Sequence, residues 1–195
     1  MAGTQHNNQI STFKSAFDGG TRPNRFEITG TIGAGMSPTQ SSRPEAMETV
    51  FVKAGSLPAQ TLGIIPLPYR GRIVKFPGDR TYAEWTFTVI DDAGGDGEGG
   101  FRRKFEAWHE SFNLHEENKV TSPDVLNGTN TGVYTDWTVS QLKMDGEKSG
   151  GEMRLVNCWP VTIGEIALSY DTADTLTEYQ VTIAYDYLEF EGSEG

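Results

Sequence analysis

The chain has 195 residues, enough to bury one hydrophobic core without disulfides or metals, so we expect a single folded domain. Its 27 acidic and 16 basic residues give a formal charge of −11. Such a surface repels phosphate backbones, which disfavours a tight nucleic-acid binder. The single cysteine, Cys158, excludes an intrachain disulfide. We expect it to be a small buried side chain in a protein made in the reducing cytoplasm.

Residues 1–21 form a polar stretch that we predict to be an irregular N-terminal arm, followed by one domain over residues 22–195. The arm lacks a basic start followed by an apolar run, so we expect no secretory signal. No apolar stretch reaches the roughly 20 residues that a membrane-spanning helix needs, so we expect no membrane anchor.

Alternating apolar and polar side chains predict a mainly β protein, built as a sandwich or barrel. In residues 82–90, Trp85, Phe87 and Val89 alternate with polar residues, which is the period of a half-buried strand. Residues 179–188 repeat this pattern. In chain order, the predicted strands are 25–32, 48–53, 72–76, 82–90, 133–143, 152–159, 165–170 and 179–188.

One segment has the period of a helix instead. Four aromatic side chains are spaced so that they fall on one stripe of an amphipathic helix. They are Phe101, Phe105, Trp108 and Phe112. We therefore predict one packed α-helix that covers an open end of the sheet core.

Two long loops are predicted at residues 91–100 and at about 113–132, where the sequence is polar or rich in glycine. Chain of this composition cannot bury enough apolar surface to offset its ordering entropy. We expect these loops and the N-terminal arm to be ordered by neighbouring chains.

Residues 95–100 satisfy the GxGxxG pattern of dinucleotide-binding loops. However, Asp96 and Glu98 lie among the glycines, and Asp91 and Asp92 precede them, so the local charge opposes a pyrophosphate. The flanking strands also lack a βαβ unit. We interpret this segment as a flexible acidic loop and expect no cofactor.

The sequence contains no convincing metal or catalytic motif. The acids of the same loop lack the alternate spacing of an EF-hand, and Asn113 stands where a zinc protease would need a second histidine after His109. We therefore expect no metal and no enzyme activity. The many carboxylates leave an acidic hydrolase as one alternative, and a monomeric β-sandwich that binds a ligand is another.

Several short blocks occur in a fixed order over about residues 22–190. They are Arg22-Pro23-Asn24-Arg25-Phe26, Leu57-Pro58-Ala59, residues 72–81, Trp85-Thr86-Phe87-Thr88-Val89, Phe105-Glu106-Ala107-Trp108, Trp159-Pro160, Gly164-Glu165 with Leu168, and residues 181–189. This series resembles the T4-like tail tube protein family of contractile-tailed phages. The chain departs from the family pattern in its longer 91–100 loop, its longer N-terminal arm and Pro77, where alanine is usual.

The resemblance implies a tail-tube β-barrel or sandwich with one helix, whose inner strands join those of neighbouring subunits into a ring-wide barrel. It implies hexameric rings that stack into a channel for genome ejection, with no catalysis. The expected partners are further copies of the chain and the sheath, baseplate, tape measure and tail terminator proteins. DNA would pass without specific binding. The protein would be made in the host cytoplasm and reside in the virion tail.

Two alternatives remain within this structural class: the tube of a related contractile injection system, and a baseplate protein with the tube fold. The resemblance also assigns structural roles to a set of motif residues. They are Arg22, Pro23, Asn24, Gly78, Asp79, Arg80, Trp85, Trp159, Pro160, Gly164 and Glu165.

Specific expectations follow for some of these residues. Asp79 and Arg80 either form an ion pair in a tight turn at Gly78 or contact a neighbouring subunit. Trp159 and Pro160 form a packing corner, at which the proline ends the strand. The polar faces of two predicted strands supply candidates for the wall of the lumen, which we expect to carry negative potential. They are Thr86, Thr88, Gln180, Thr182 and Asp186.

Overall fold

The computed structural model describes residues 7–17, 20–33, 45–47, 51–92, 100–120 and 133–191. Two helices and ten strands lie within these ranges. In chain order they are α1 (Asn7–Ala16), β1 (Phe26–Ile32), β2 (Glu45–Met47), β3 (Val52–Gly55), β4 (Gln60–Tyr69), β5 (Arg72–Tyr82), β6 (Trp85–Ile90), α2 (Phe101–Phe112), β7 (Thr135–Leu142), β8 (Lys148–Ile163), β9 (Glu178–Ala184) and β10 (Tyr187–Glu191).

The long strand β8 joins two sheets. Its first part pairs with β7 and β10, and its last part pairs with β9. The strand order is β2-β1-β7-β8-β9-β6-β3, with β10 also on β8, while β4 and β5 pair only with each other. We call the layer of β2, β1, β7, β10 and the first part of β8 the first sheet. The layer of β3, β6, β9 and the last part of β8 is the second sheet.

The core lies between these two sheets. Trp137 of β7 is fully buried, and its ring centre lies 6.3 Å from that of Trp85 and 5.1 Å from that of Phe87, both on β6. Such ring pairs add directional attraction to their burial of apolar area. Gly30 of β1 lies against the Trp137 indole, where a Cβ atom would fall 2.1 Å from Cδ2, so a larger residue would displace this ring. The mainly β sandwich predicted from the sequence is confirmed.

Helix α2 covers one part of this core, as its aromatic stripe predicts. Phe101, Phe105 and Trp108 are buried and Phe112 is partly buried. The Phe105 ring centre lies 6.3 Å from that of Phe87, and Trp108 Nε1 donates a hydrogen bond of 2.6 Å to the Val133 carbonyl oxygen. The helix is therefore fixed by apolar packing and by one buried hydrogen bond.

Two predicted strands differ in the structure. Residues 165–170 form no strand, because no neighbouring strand in the described chain pairs with them. The predicted strand 179–188 is interrupted after Ala184, where pairing passes from the second sheet to the first. Tyr185 and Leu188 are buried there while Tyr187 is exposed, so the alternation shifts by one residue.

Three further predictions were wrong. The N-terminal arm, which was expected to be irregular, contains helix α1. Gly78 lies within β5 and not in a turn. Pro160 lies inside β8, where a register shift between Pro160 and Thr162 accommodates it, so the proline does not end the strand. The strand β4 was not predicted at all. Neither described helix is long and apolar enough to cross a membrane.

We expect Trp137→Ala to lower the free energy of unfolding by about 3–5 kcal/mol, because it empties a fully enclosed site. Trp159, whose ring packs edge-on against Tyr134 and is only partly buried, provides the matched control. Urea denaturation followed by far-UV circular dichroism measures both variants. Equal losses for Trp137→Ala and Trp159→Ala would contradict a core centred on Trp137.

Candidate assembly surfaces

A large exposed apolar surface lies on the β4–β5 hairpin, residues 60–82, which we call the ribbon. Arg70 and Gly71 form its two-residue turn with φ of 47° and 79°, the positive values of a type I′ turn, whose twist matches that of paired strands. The ribbon continues the β3–β6 pair, since Ala83 N donates to the Ala59 carbonyl oxygen at their junction. It therefore leaves the sandwich at the Trp85 end of β6.

Both faces of the ribbon carry apolar side chains. The cross-strand pairs Ile65–Phe76 and Leu67–Val74 lie on one face, since paired residues share a face. The large apolar side chains of the ribbon are exposed by 41–65%. They are Leu62, Ile64, Ile65, Leu67, Tyr69, Ile73, Val74 and Phe76. Strands that are apolar on both faces are typical of elements buried on both sides.

The two outer edges of the ribbon differ in their hydrogen-bonding capacity. A two-residue turn closes on a hydrogen-bonded pair, here Tyr69–Arg72, and hydrogen-bonded pairs then alternate with pairs whose amides face outward. Pro66 and Pro68 stand at outward positions of β4, and proline has no N–H to donate. The outer edge of β4 is therefore blocked to a further strand.

The outer edge of β5 keeps its donors near the turn. Ile73 and Lys75 are the cross-strand partners of Pro68 and Pro66, so their N–H and C=O groups also face outward. No other strand of the described chain pairs with this edge. Near its turn, the ribbon thus has one closed edge and one open edge. Farther from the turn, Pro77 stands at the next outward position of β5, opposite Ile64 of β4.

A second exposed region is the link between β8 and β9, residues 164–177, which we call the acidic segment. It contains Glu165, Asp171 and Asp174 and no basic residue. Leu168 is 88% exposed and Tyr170 is fully exposed. Within the described chain, no backbone hydrogen bond reaches residues 165–168.

The start of the acidic segment is firmly held. Gly164 N donates a hydrogen bond of 2.7 Å to the Gln180 carbonyl oxygen, and Arg102 Nη1 donates one of 2.6 Å to the Gly164 carbonyl oxygen. A Cβ at residue 164 would fall 2.9 Å from that Gln180 oxygen, so glycine allows this close approach. The exposed Glu165 follows at once, so the acidic segment begins from a fixed point.

Helix α1 carries a third exposed apolar surface. Ile10, Phe13 and Phe17 recur at three and four residues and are 64%, 63% and 52% exposed. The rings of Phe13 and Phe17 stack with centres 5.1 Å apart. The described part of the N-terminal arm is therefore an amphipathic helix with an open apolar stripe.

Four of the five lumen candidates lie together on the outward face of the second sheet. Thr86 pairs with Thr182, their hydroxyl oxygens 2.9 Å apart, and Thr88 pairs with Gln180. This patch carries no charge of its own. Asp186 lies apart from it, beyond the end of β9.

Asp186 belongs to a polar cluster near the first sheet. Its Oδ2 accepts a hydrogen bond of 2.8 Å from Asn157 Nδ2, and the Asn157 backbone N–H donates to Asp136 Oδ1. Arg154 Nη2 also donates to Asp136, at 2.6 Å, and Arg154 lies 3.5 Å from Glu189. The outward face of the first sheet is thus charged, whereas the second has a patch of threonine and glutamine.

Two motif blocks meet at one apolar groove of about 250 Å³. Pro23 and Phe26 line it from the turn before β1, where Arg25 N donates to the Arg22 carbonyl oxygen, and Leu57 lines it from the link after β3. Asn24 lies in the same turn. These two blocks therefore lie side by side at the junction of the two sheets.

Gly78, Asp79 and Arg80 lie on β5, Trp85 lies on β6, and Trp159 and Pro160 lie on β8, whereas Gly164 and Glu165 lie in the acidic segment. Trp85 is buried, and its Nε1 donates a hydrogen bond of 2.6 Å to the Ser56 carbonyl oxygen. Arg80 Nη1 donates to Gln60 Oε1 across the ribbon, at 3.3 Å, and Asp79 is its neighbour on β5. The turn that would have paired Asp79 with Arg80 is not formed.

The N-terminus of α2 is already occupied by protein carboxylates. Asp92 Oδ1 accepts from Phe101 N and Asp91 Oδ1 accepts from Arg102 N, each at 3.2 Å. A dinucleotide loop would need these amides for a pyrophosphate. The central residues of the GxGxxG lookalike, 93–99, lie outside the described residues. Among described residues, no group of three His, Cys, Asp or Glu could hold a metal ion.

Burial governs the titration of two core side chains. It raises the pKa of the Cys158 thiol well above its usual range. It likewise raises the pKa of the Tyr179 hydroxyl, with the Asp91 carboxylate adding to the effect. Cys158 is fully buried, as predicted, and its thiol is protected from reagents.

These features define a structural class. It is a β-sandwich with a buried aromatic core, and an apolar ribbon, an acidic segment and an amphipathic helix lie exposed outside that core. The sequence matches the phage tail tube protein family over residues 21–191. The chain belongs to this family.

Two relatives are tail tube proteins. The chain is 30% identical over 141 residues to tail tube protein gp19 of Enterobacteria phage T4. The aligned region covers 72% of this chain and 80% of that protein. It is 22% identical over 179 residues to the tail tube protein of Serratia phage KSP90, covering 90% and 93% of the two chains.

Two solved structures share the fold at low identity. The cap that terminates the tube of the anti-feeding prophage has a TM-score of 0.58 at 16% identity, covering 89% of this chain and 92% of that one. The sheath–tube complex of the PVC extracellular contractile injection system in its extended state has a TM-score of 0.55 at 15% identity, covering 97% and 100%. The sandwich is thus the fold found in those assemblies.

We expect the stability difference between wild type and Cys158→Ala to be constant below about pH 8 and to shrink above it. The unfolded thiol ionises near pH 8.5, whereas the folded thiol stays neutral, so wild type loses up to about 1.4 kcal/mol per pH unit. Both proteins share the buried tyrosines, whose effect cancels in the difference. Denaturant midpoints between pH 7 and 10 measure it, and parallel curves for the two proteins would contradict the buried thiol.

Proposed function

We propose that this chain is the tube subunit of a contractile tail, in which hexameric rings stack into the channel for genome ejection. The family match over residues 21–191 is the observation that carries the proposal. The role is structural, and DNA passes without specific binding. The tube of a related injection system and a tube-like baseplate protein are the nearest alternatives, because the fold is shared with such assemblies.

The ribbon supports association with further copies. Its eight exposed large apolar side chains would stay in water in an isolated subunit. Contiguous apolar surface of this kind marks protein–protein contact in soluble proteins. A monomeric ligand-binding sandwich does not explain eight exposed apolar side chains on a two-stranded ribbon.

The second sheet supports a ring-wide barrel. Its strand β3 stands at the end of the strand order, with only β6 beside it among described strands. Unpaired strand edges are removed when sheets of neighbouring subunits join into a closed barrel. In that arrangement one face of the second sheet lines the lumen.

The outward face of the second sheet suits such a lumen. Thr86, Thr88, Gln180 and Thr182 offer hydroxyl and amide groups, and Lys53, which lies beside this patch, is paired with the Glu178 carboxylate. A wall with Lys or Arg would bind phosphates, and the repetition of subunits would multiply that binding. From the net charge of −11 per chain we predict that the lumen carries negative potential.

The other partners follow from the same assignment. The sheath surrounds the tube, and the baseplate, tape measure and terminator proteins meet its ends. Residues 1–21 and the loop at about 113–132 become ordered on these contacts, because chain of such polar composition buries too little apolar surface to offset its ordering entropy alone. The domain proper spans residues 22–195, and the protein resides in the virion tail.

Purified protein is expected to form hexameric rings or tubes at physiological salt, because the ribbon favours association. Light scattering coupled to size exclusion gives the mass, and negative-stain microscopy shows rings or tubes. A strictly monomeric species at high concentration would count heavily against the tube function.

Gln180→Lys is expected to assemble normally but to slow DNA ejection several-fold, most at low salt, because each ring would then present added positive charges to DNA. Thr29→Lys, at an exposed position on the outward face of the first sheet, is the matched control and should leave ejection unchanged. Time-resolved DNA release from phage carrying each variant measures the effect. Equal ejection rates for the two variants would place Gln180 away from the lumen.

A further inference from the structure

The ribbon and the acidic segment lie at opposite ends of the second sheet. The ribbon enters β6 at Trp85, whereas the acidic segment ends beside Ile90, since Ile90 pairs with Glu178 and Asp91 N donates to the Thr177 carbonyl oxygen. The six residues of β6 separate these ends by roughly 17 Å at about 3.3 Å per residue. The ribbon extends further away, so the two regions of one copy lie apart in the structure.

The two regions are complementary in charge. The ribbon contains Arg70, Arg72, Lys75 and Arg80 against Asp79, a formal charge of +3 within a chain of net charge −11. The acidic segment contains three carboxylates and no basic residue, a formal charge of −3. Opposite potentials favour contact between these regions and disfavour contact of either region with itself.

The two regions are also complementary in backbone chemistry. Residues 165–170 have the apolar alternation of a strand but lack a pairing strand in the described chain. Ile166 packs partly against the core of its own subunit, whereas Leu168 and Tyr170 are exposed. The open edge of β5 offers the outward N–H and C=O groups of Ile73 and Lys75. The edge of β4 cannot offer the same, because Pro66 and Pro68 stand there.

We infer that residues 165–170 of one copy add as a strand to the outer edge of β5 of a second copy. This contact rests on the proposed tube function, and it gives the stack of subunits a polarity. Because the two contact regions lie at opposite ends of β6, the interface is head-to-tail, and it repeats from copy to copy without closing on a single pair. Strand addition supplies backbone hydrogen bonds, while Leu168 and Tyr170 supply apolar contact with the ribbon.

Two isoleucines allow a matched test of the edges. Ile73 on β5 and Ile64 on β4 are 65% and 63% exposed, and each faces a proline across the ribbon, so the amides of both point outward. Ile73→Pro and Ile64→Pro make the same chemical change on opposite edges and spare the hydrogen bonds between β4 and β5. Far-UV circular dichroism of the unassembled subunits confirms that both variants are folded.

The expected result is that Ile73→Pro reduces tube number in negative-stain images at least tenfold, whereas Ile64→Pro assembles like wild type. Normal tubes from Ile73→Pro, or equal loss from both variants, would overturn the inference and leave the tube function standing. If wild type itself forms neither rings nor tubes, the proposed function fails instead.

A cross-link provides a second readout that does not depend on loss of assembly. Because Cys158 is buried, introduced cysteines are the reactive thiols of the variant. Under mild oxidation, assembled Ile73→Cys/Leu168→Cys protein should give a ladder of covalent multimers on denaturing gels. Ile64→Cys/Leu168→Cys should give at least tenfold less. No ladder from the first variant, or equal ladders from both, would contradict strand addition at β5.

Discussion

The subunit depends on the packing of Trp137 between its two sheets and helix α2. Ring contacts with Trp85, Phe87 and Phe105 fix the separation of the layers and the position of the helix. The core contains these aromatic residues and none of the eight exposed apolar side chains of the ribbon. Those side chains therefore lie outside the packing that stabilises the sandwich.

The exposed regions of the subunit differ in charge. A chain of net charge −11 repels its own copies, and added repulsion would accompany any close stacking. The ribbon is a basic exception in this acidic chain, and the acidic segment is its opposite. Association through these two regions lowers local repulsion, while the prolines of β4 limit strand addition to one edge. The polarity of the assembly therefore depends on backbone hydrogen bonding at the ribbon edges as well as on the side chains.

The sequence predicted best those elements that bury one face against the core of the sandwich. The aromatic stripe of α2 and the alternation in β6 are signals of burial against this core, and both are confirmed. The strand expected at 165–170 has the right alternation but no partner in one subunit, so it is unpaired. Strand β4 was missed because Pro66 and Pro68 argue against a strand, yet proline is allowed at an outer edge. The turn at Gly71 was the signal that could have revealed it.

Asp186 illustrates a different limit. Its position in the alternation of β9 predicted a place beside Thr182, but pairing passes from one sheet to the other just before it. This change of sheet depends on the length of β8 and on its pairing with both β9 and β10. The alternation of apolar and polar residues does not predict such pairing. The four uncharged candidates stay together because they lie on two strands paired in regular register.

Amide hydrogen exchange of assembled and unassembled protein tests the central claim most directly, namely that the ribbon is completed only by a second copy. In the isolated subunit, the outward amides of Ile73 and Lys75 should exchange rapidly, because no described strand accepts from them. On assembly we predict that these two amides, together with those of residues 165–170, become strongly protected. Rapid exchange of the Ile73 and Lys75 amides in intact tubes would contradict the account.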